Sequence, residues 1–551
     1  MTTSKEAAAR RVKVEVPVDV VTPVNVDPVA PRVPNAPPAP GSLLASFPDR
    51  WTPRKVQADA LVEIEKALAA GKRFIVFEGP PGVGKTLCAI TLARHLGDTY
   101  VCTLSKLLQA QYLRDFSYLG ARELKGRANF KCQRARNTCE LGGHLYSGHS
   151  ACGHQCERGE DNPPCPYKIA KEGALAAPIT VCNYYSFLYN IEGEEMARPL
   201  LVCDESHALE ATLLDHVAIS IDLNTLPVAV EDPPEPPAQP AEIAAHVEWL
   251  KVLVGKLEGK GRSGDPEEDV LVKRLLHRVN FFSAHREEEW IVEQKKEARG
   301  FKLLPLTVRS FGGLIFGLGQ RVLCMSATIL DHEAFCGSVG IPLDEAAFIR
   351  APCVFPKENR PIMAGDFDMT FKAREWSWPQ AFKTVNGICL HHAAHKGLIL
   401  AQSDAMIRGL MKAVDEKVRR RFLVAVGENR AARYQEHLKT RAPTILVGSN
   451  LWEGIDLTGD HSRFQIIPAI PFPPWEGRIR ERARLDPRWY RLQAFVKLIQ
   501  GSGRSVRDEK DVAVTYVMDK RLIEERGRIG SMLPPWFVEA MQVAGGGDSD
   551  G

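Results

Sequence analysis

Apolar and polar positions along this chain fall into blocks that repeat one theme. From Trp51 onward, QADALVEIEKALAAG carries its apolar residues at helical spacing and stops at Gly71. RFIVFEG then reads as a buried strand, and GVGKTLCAITLARHL as a helix that starts straight after a glycine-bearing loop. TYVCTL, PITVCN, PLLVCD and QRVLCMS are further short apolar runs of β type, and a second series follows in KGLILAQS, RFLVAVG, PTILVGS, RFQIIPAI and DVAVTYVMD. Strands alternating with helices predict a parallel sheet covered on both faces, and two series predict two α/β domains in tandem. Between the strands near Val202 and Val322 the texture changes. AEIAAHVEWLKVLVGKLEG and DVLVKRLLHRV have helical periodicity, so about 210–300 is read as a mostly helical insertion.

The two ends differ from the middle. Residues 1–45 are rich in Pro and Val, a composition that cannot hold a helix or central strand and predicts a disordered or extended arm. The final GGGDSDG, in 544–551, reads as a flexible tail. At 551 residues the chain exceeds one hydrophobic core, and 44% hydrophobic with 25% charged residues is the balance of a soluble globular protein. No apolar run approaches the roughly 20 residues of a membrane span. The N-terminus lacks the layout of a secretion signal, so a cytoplasmic location without membrane contact is expected. A net charge of +3 makes any nucleic-acid surface a local patch. Arg122, Lys125, Arg127, Lys131, Arg134 and Arg136, with Glu123 as the only acid among them, form one candidate, which a solvated face would equally explain.

The first chemistry is a phosphate site. Gly79-Pro80-Pro81-Gly82-Val83-Gly84-Lys85-Thr86 fits G-x-x-x-x-G-K-[ST] between a strand and a helix. The glycines let successive N–H groups face one point, and the helix start adds its positive end there. Lys85 is expected on the β- and γ-phosphates of ATP, and the Thr86 hydroxyl on Mg²⁺. Asp204 and Glu205 follow the apolar run PLLVC, where a strand tip would place carboxylates beside the phosphates. Asp204 is assigned to Mg²⁺, and Glu205 to the attacking water. Arg504 and Arg507 lie three apart in a later stretch, and Arg supplies the fixed positive fork that phosphoryl transfer needs opposite the phosphate loop.

Asp204-Glu205-Ser206-His207 resembles the DEAH box of superfamily 2 helicases. Upstream, Arg54 and Gln57 in PRKVQ resemble the family's adenine-recognition element. Ser326-Ala327-Thr328 is similar to motif III. Ser449-Asn450-Leu451-Trp452-Glu453-Gly454-Ile455-Asp456 resembles motif V, and the stretch from Gln500 to Arg507 resembles motif VI. The resemblance extends over nearly all of residues 50–540. It implies ATP-site roles for His207, Gly454, Asp456 and Gln500 besides the residues already named.

Five cysteines crowd into one segment: Cys132, Cys139, Cys152, Cys156 and Cys165. Four thiolates would hold an iron–sulfur cluster. His144, His149 and His154 lie among them, so spacing alone leaves zinc equally open. Leu124–Cys132 (LKGRANFKC) and Cys165-Pro166-Tyr167 are similar to the words that open and close the cluster segment of XPD/DinG-like iron–sulfur helicases. The resemblance implies a [4Fe–4S] cluster on Cys132, Cys152, Cys156 and Cys165, with Cys139 as the alternate to Cys152.

The fold so implied is α/β: two tandem RecA-like parallel-sheet motor domains, with an iron–sulfur cluster insertion and a helical arch insertion in the first. The expected division is motor domain 1 at 46–131, 169–209 and 301–332, the cluster domain at 132–168, the arch at 210–300 and motor domain 2 at 333–543. The resemblance also implies a monomeric, ATP-dependent DNA helicase that moves 5′→3′ on single-stranded DNA, opens tailed duplexes and serves DNA repair, replication or recombination. A DNA-stimulated ATPase that remodels protein–DNA complexes would carry the same motifs. Tyr184, Tyr185 and Phe187 are candidates for stacking on bases, with buried packing as the competing role. HKGLILAQSD resembles motif IV only loosely, leaving Ser403 a weak phosphate contact.

Overall fold

The computed structural model describes residues 43–131, 165–191, 196–237, 242–259, 266–285, 287–295, 299–452, 454–455, 457–506 and 510–543. The first α/β unit contributes β1 (Phe74–Glu78), β2 (Thr99–Thr103), β3 (Ala121–Glu123), β4 (Ile179–Asn183) and β5 (Arg198–Asp204). The insertion adds β6 (Ile219–Asp222), β7 (Trp290–Gln294) and β8 (Gly300–Pro305), and the chain returns for β9 (Gly319–Ser326) and β10 (Ala346–Arg350). The second unit holds β11 (Ile362–Phe367), β12 (Gly397–Leu400), β13 (Phe422–Val424), β14 (Ile445–Gly448), β15 (Phe464–Ile467), β16 (Val514–Asp519) and β17 (Met541–Val543).

Two seven-stranded parallel sheets result, in the orders β10-β1-β9-β5-β2-β4-β3 and β13-β14-β12-β15-β16-β11-β17. Every residue of β1, FIVFE, is buried, as expected for a strand covered by helices on both faces. Because the strands are parallel, their C-terminal ends share one edge. There Glu78 at the end of β1 pairs in register with Ser326 of β9, and Asp204 of β5 with Met325. The phosphate loop, the acid pair and the Ser-Ala-Thr stretch are thus brought side by side by strand register alone.

One row of the first sheet consists of thiols. Cys102 stands in register with Cys182 on one side and Cys203 on the other, and Cys203 with Cys324. All four are fully buried, with Cys102 and Cys182 Sγ atoms 3.9 Å apart. A thiol behaves here as a small apolar side chain.

Two differences from the sequence reading have physical reasons. β10 pairs with β1, so the first sheet reaches Arg350, beyond the boundary expected at 333. AAFIR is short and half polar, and only pairing identifies it as an edge strand. The insertion at 210–300 contains helices Ile243–Gly259 and Pro266–Ala284 but also the antiparallel sheet β6-β8-β7. β7 and β8 form a local antiparallel hairpin, but β6 pairs with β8 across roughly eighty residues, and a local pattern does not reveal a partner so far away.

The first unit with its insertion contacts the second through a buried polar knot. Glu210 accepts from Arg478 Nη2 at 3.2 Å and from Trp489 Nε1 at 2.7 Å, while Arg478 Nε donates to the Pro305 carbonyl at 2.8 Å. Both charges are buried, and each keeps the other compensated.

Candidate ATP site and interdomain cleft

Gly82 and Gly84 adopt φ of 79° and 84°, which bends the loop before the helix Lys85–Leu96. A Cβ at Gly82 would lie 2.1 Å from Phe355, and one at Gly84 2.1 Å from Gln57 Nε2. At both positions the positive φ strains any residue with a side chain. Arg54 Nη2 donates to the Gly82 carbonyl at 2.5 Å, Gln57 Nε2 lies 3.5 Å from the Gly84 carbonyl, and the Arg54 N–H donates to Gln57 Oε1 at 2.9 Å. The two residues expected at adenine therefore also fasten the phosphate loop from outside. Lys85 Nζ donates to the Gly79 carbonyl at 2.8 Å, folded over the loop it is to serve.

Asp204 ends β5 buried. Its Oδ1 accepts from the Glu205 N–H at 2.9 Å and its Oδ2 from the Tyr112 hydroxyl at 3.0 Å, while Tyr184 donates to its main-chain oxygen at 2.8 Å. Glu205 has φ of 52°, a left-handed conformation that costs a non-glycine residue energy and turns its carboxylate away from the strand. Burial, and then the charge of Glu205, push the Asp204 carboxyl up to about 6. Burial would raise Glu205 too, but the hydrogen bond and charge of His207, with Lys85 and Arg504, outweigh it and hold Glu205 at about 2. One acid is thus a firm anion at neutral pH. The other sits where a dication would offset both its burial and its neighbour. Asp204, held by Tyr112, with the Thr86 hydroxyl of the phosphate loop is a hard-oxygen donor set that fits Mg²⁺.

From Glu205 a chain of polar contacts crosses the cleft. Glu205 Oε2 lies 3.3 Å from His207 Nδ1, which shares a 2.8 Å hydrogen bond with Ser326 Oγ. Ser326 Oγ accepts from the Thr328 N–H at 3.1 Å, and Gln500 Nε2 of the second unit donates to Thr328 Oγ1 at 3.1 Å. Glu78 supports the same loop: its Oε1 accepts from the N–H groups of Ile329 and Leu330 at 3.0 and 2.9 Å, and its Oε2 pairs with Arg350.

In the second unit, Arg504 donates to the carbonyls of Trp452 at 2.7 Å and Ile455 at 3.0 Å, and its charge also acts on Glu205. The arginine thereby ties motif VI to motif V. Gly454 has φ of 74° in that loop. Glu453, Asp456 and Arg507 lie outside the described residues, as do Cys132, Cys139, Cys152, Cys156, His144, His149, His154, Arg134 and Arg136. Cys165 is half-buried at the start of the helix Pro166–Leu175.

Some expected residues have other tasks. Tyr184 and Phe187 are buried, so packing is their role; of the three aromatic candidates only Tyr185 has an exposed ring, with its hydroxyl on Asp215. Ser403 Oγ caps the helix Asp404–Ala413 by accepting from the Met406 N–H at 3.3 Å. Lys125 pairs with Glu123 at 2.8 Å, and Arg127 lies over the Tyr167 ring. Tyr112, Glu78 and the Glu210–Arg478 pair are missing from the sequence reading because only tertiary contact distinguishes them from ordinary helix and strand residues.

Residues 50–226 match the family model described as type III restriction enzyme, res subunit, and residues 388–540 match that of a helicase C-terminal domain. The ATP-dependent DNA helicase YoaA of Haemophilus influenzae is 32% identical over 244 residues, which cover 41% of this chain and 37% of that protein, so this match spans little more than a third of the relative. The ATP-dependent DNA helicase YoaA of Escherichia coli is 28% identical over 613 residues, covering 88% of this chain and 94% of that protein. Among solved structures, an XPD helicase superposes with a TM-score of 0.60 at 16% identity, over 89% of this chain and 99% of the other. Xpd4 of S. tokodaii gives 0.56 at 14% identity, over 89% and 100%. At such identities the structural likeness concerns the fold.

Proposed function

We propose that this chain, an XPD/DinG-like member of superfamily 2, is an ATP-dependent DNA helicase that translocates 5′→3′ on single-stranded DNA and unwinds duplex. The observation that carries this reading is the polar chain Glu205–His207–Ser326–Thr328–Gln500, which runs from the acid beside the phosphate loop to the second parallel sheet. Such a connection makes the relative position of the two units depend on the state of the nucleotide, as a stepping motor requires.

In this reading the loop amides and Lys85 hold the β- and γ-phosphates, and Arg54 and Gln57 fix the loop from the adenine side. Thr86 and Asp204 would hold Mg²⁺, which when bound neutralises charge on the phosphate oxygens. Glu205, anionic at neutral pH, orients the attacking water and accepts its proton. Arg504 and Arg507 bring positive charge from the second unit, so hydrolysis alters what holds the cleft closed. Gly454, Asp456 and Gln500 complete that side.

The cysteine words support a [4Fe–4S] cluster on Cys132, Cys152, Cys156 and Cys165, with Cys139 as alternate, in a domain at 132–168. With the insertion at 210–300 it would form the part of the first motor domain that splits duplex. The chain is proposed to act as a cytoplasmic monomer in DNA repair, replication or recombination. The other reading, a DNA-stimulated ATPase that remodels protein–DNA complexes, shares every motor residue.

Unwinding of a fluorescent duplex with either a 5′ or a 3′ single-stranded tail, in Mg-ATP, decides among these. Opening of the 5′-tailed duplex alone is expected. Opening of the 3′-tailed one alone would reverse the polarity. DNA-stimulated hydrolysis without opening would favour the remodelling ATPase.

A further inference from the structure

The contacts of Asp204 contain one partner that no motif accounts for. Tyr112 lies in the helix Lys106–Phe116, which leaves the C-terminal end of β2, the strand beside β5. That helix is set by Ser105, whose side chain accepts from the Leu108 N–H at 3.3 Å, and Tyr112 comes two turns later, its ring buried against Phe116. The sheet order thus delivers a phenol to the tip of the neighbouring strand, where it donates to Asp204 Oδ2 at 3.0 Å.

We propose that Tyr112 is a positioning residue for the divalent cation of the ATP site, the outer partner that aims the Asp204 carboxylate. This rests on the reading of Thr86 and Asp204 as the ligands of Mg²⁺. The geometry leaves little freedom. Asp204 Oδ1 is held by the Glu205 N–H and Oδ2 by Tyr112, so the carboxylate plane is fixed at both oxygens. Each carboxylate oxygen has two acceptor directions, so one on each remains for the cation or its water. The phenol is a dependable donor here. A phenol titrates at about 10, so at neutral pH it carries the proton it donates. Tyr184 makes the contrast: its hydroxyl reaches the main-chain oxygen of Asp204 and leaves the carboxylate untouched.

The test is a titration of the full chain with Mn²⁺ in the presence of ADP, followed by electron paramagnetic resonance, for wild type, Tyr112→Phe, Tyr112→Leu and Tyr184→Phe. Loss of an outer partner typically weakens metal affinity by roughly 10- to 100-fold. A loss of that size is expected in both Tyr112 variants, with ADP affinity in the absence of metal ion unchanged and Mn²⁺ affinity of Tyr184→Phe near wild type. A defect in Tyr112→Leu alone would make the ring, not the hydroxyl, the important part and overturn the proposal, as would unchanged Mn²⁺ affinity in both. Wild type that binds no Mn²⁺ with ADP would overturn the nucleotide site itself, an outcome distinct from either.

Discussion

Gln500 Nε2 donates to Thr328 Oγ1 at 3.1 Å, joining a helix of the second sheet to the loop that follows β9 of the first. Removing the hydroxyl with Thr328→Val keeps the side-chain shape and deletes this bond. A net hydrogen bond of about 0.5–1.5 kcal/mol corresponds to roughly a two- to tenfold effect. The number of base pairs opened per ATP hydrolysed is expected to fall by that factor, measured by parallel phosphate-release and strand-separation assays. An unchanged ratio would remove the bond from the coupling path.

Lys85→Ala removes the ammonium that lies over the phosphate loop. ATP turnover is expected to disappear while single-strand DNA affinity stays near wild type, because the loop lies in the cleft between the sheets. Retained turnover would show that the phosphate site has been misplaced.

Arg478→Ala leaves Glu210 buried without its guanidinium. Breaking a buried pair from one side costs about 3–5 kcal/mol, whereas replacing both partners by neutral groups of similar size costs far less. Urea unfolding is therefore expected to show a large loss for Arg478→Ala and recovery in the double variant Glu210→Gln with Arg478→Met. Equal stability of the two variants would argue against a charge effect.

His437 is buried between the His461 carbonyl, to which Nε2 donates at 2.8 Å, and the Thr444 hydroxyl, 2.9 Å from Nδ1. Burial lowers its pKa from 6.5 to about 4. Below 6.5 the unfolded chain takes up a proton that the folded site refuses until about 4, so stability is full above that window and falls as pH drops through it. The loss at about pH 5 is on the order of 2 kcal/mol. His392 in the same unit is lowered in the same direction. Urea midpoints at the two ends of the window should differ less in His437→Gln than in wild type.

For the cysteine segment, Cys132→Ser is expected to lose iron, the broad visible absorption of a [4Fe–4S] centre and unwinding, with DNA-stimulated ATP hydrolysis less affected. Iron and zinc analysis of the purified protein separates the cluster from a zinc site. An iron-free variant that still opens duplex would dissociate the segment from strand separation.

Both parallel sheets are legible because most of their central strands are short, largely apolar runs bounded by helices, as in FIVFE and PLLVC. The edge strands Ala346–Arg350 and Met541–Val543 and the interior strand Ile362–Phe367 are not, since each is short or carries polar residues and is defined by the neighbour it pairs with, whereas the edge strand Phe422–Val424 shows in its apolar run. At the site, Lys85, Asp204, Glu205 and Gln500 could be named from motifs. Arg504 was expected over the phosphate, and its fastening to the Trp452 and Ile455 carbonyls is a contact that spacing does not encode. Tyr184 was weighed as a stacking residue because it follows a strand, yet the sheet turns it inward. Tyr112 and Glu78 gave no signal, because each acts through a partner far away in sequence.

The row Cys182–Cys102–Cys203–Cys324 gives the first parallel sheet a chemical clock. A thiolate must form and meet solvent before it can be alkylated, and these four are sealed between strands, with Cys102 pushed up in pKa by burial and its thiol neighbours, and Cys324 by its thiol neighbours and burial. Cys389 is the buried thiol on the side of the second sheet. Pulse alkylation followed by peptide mapping would therefore time the opening of each α/β half separately in one unmodified chain. No reporter would have to be engineered to learn which half yields first.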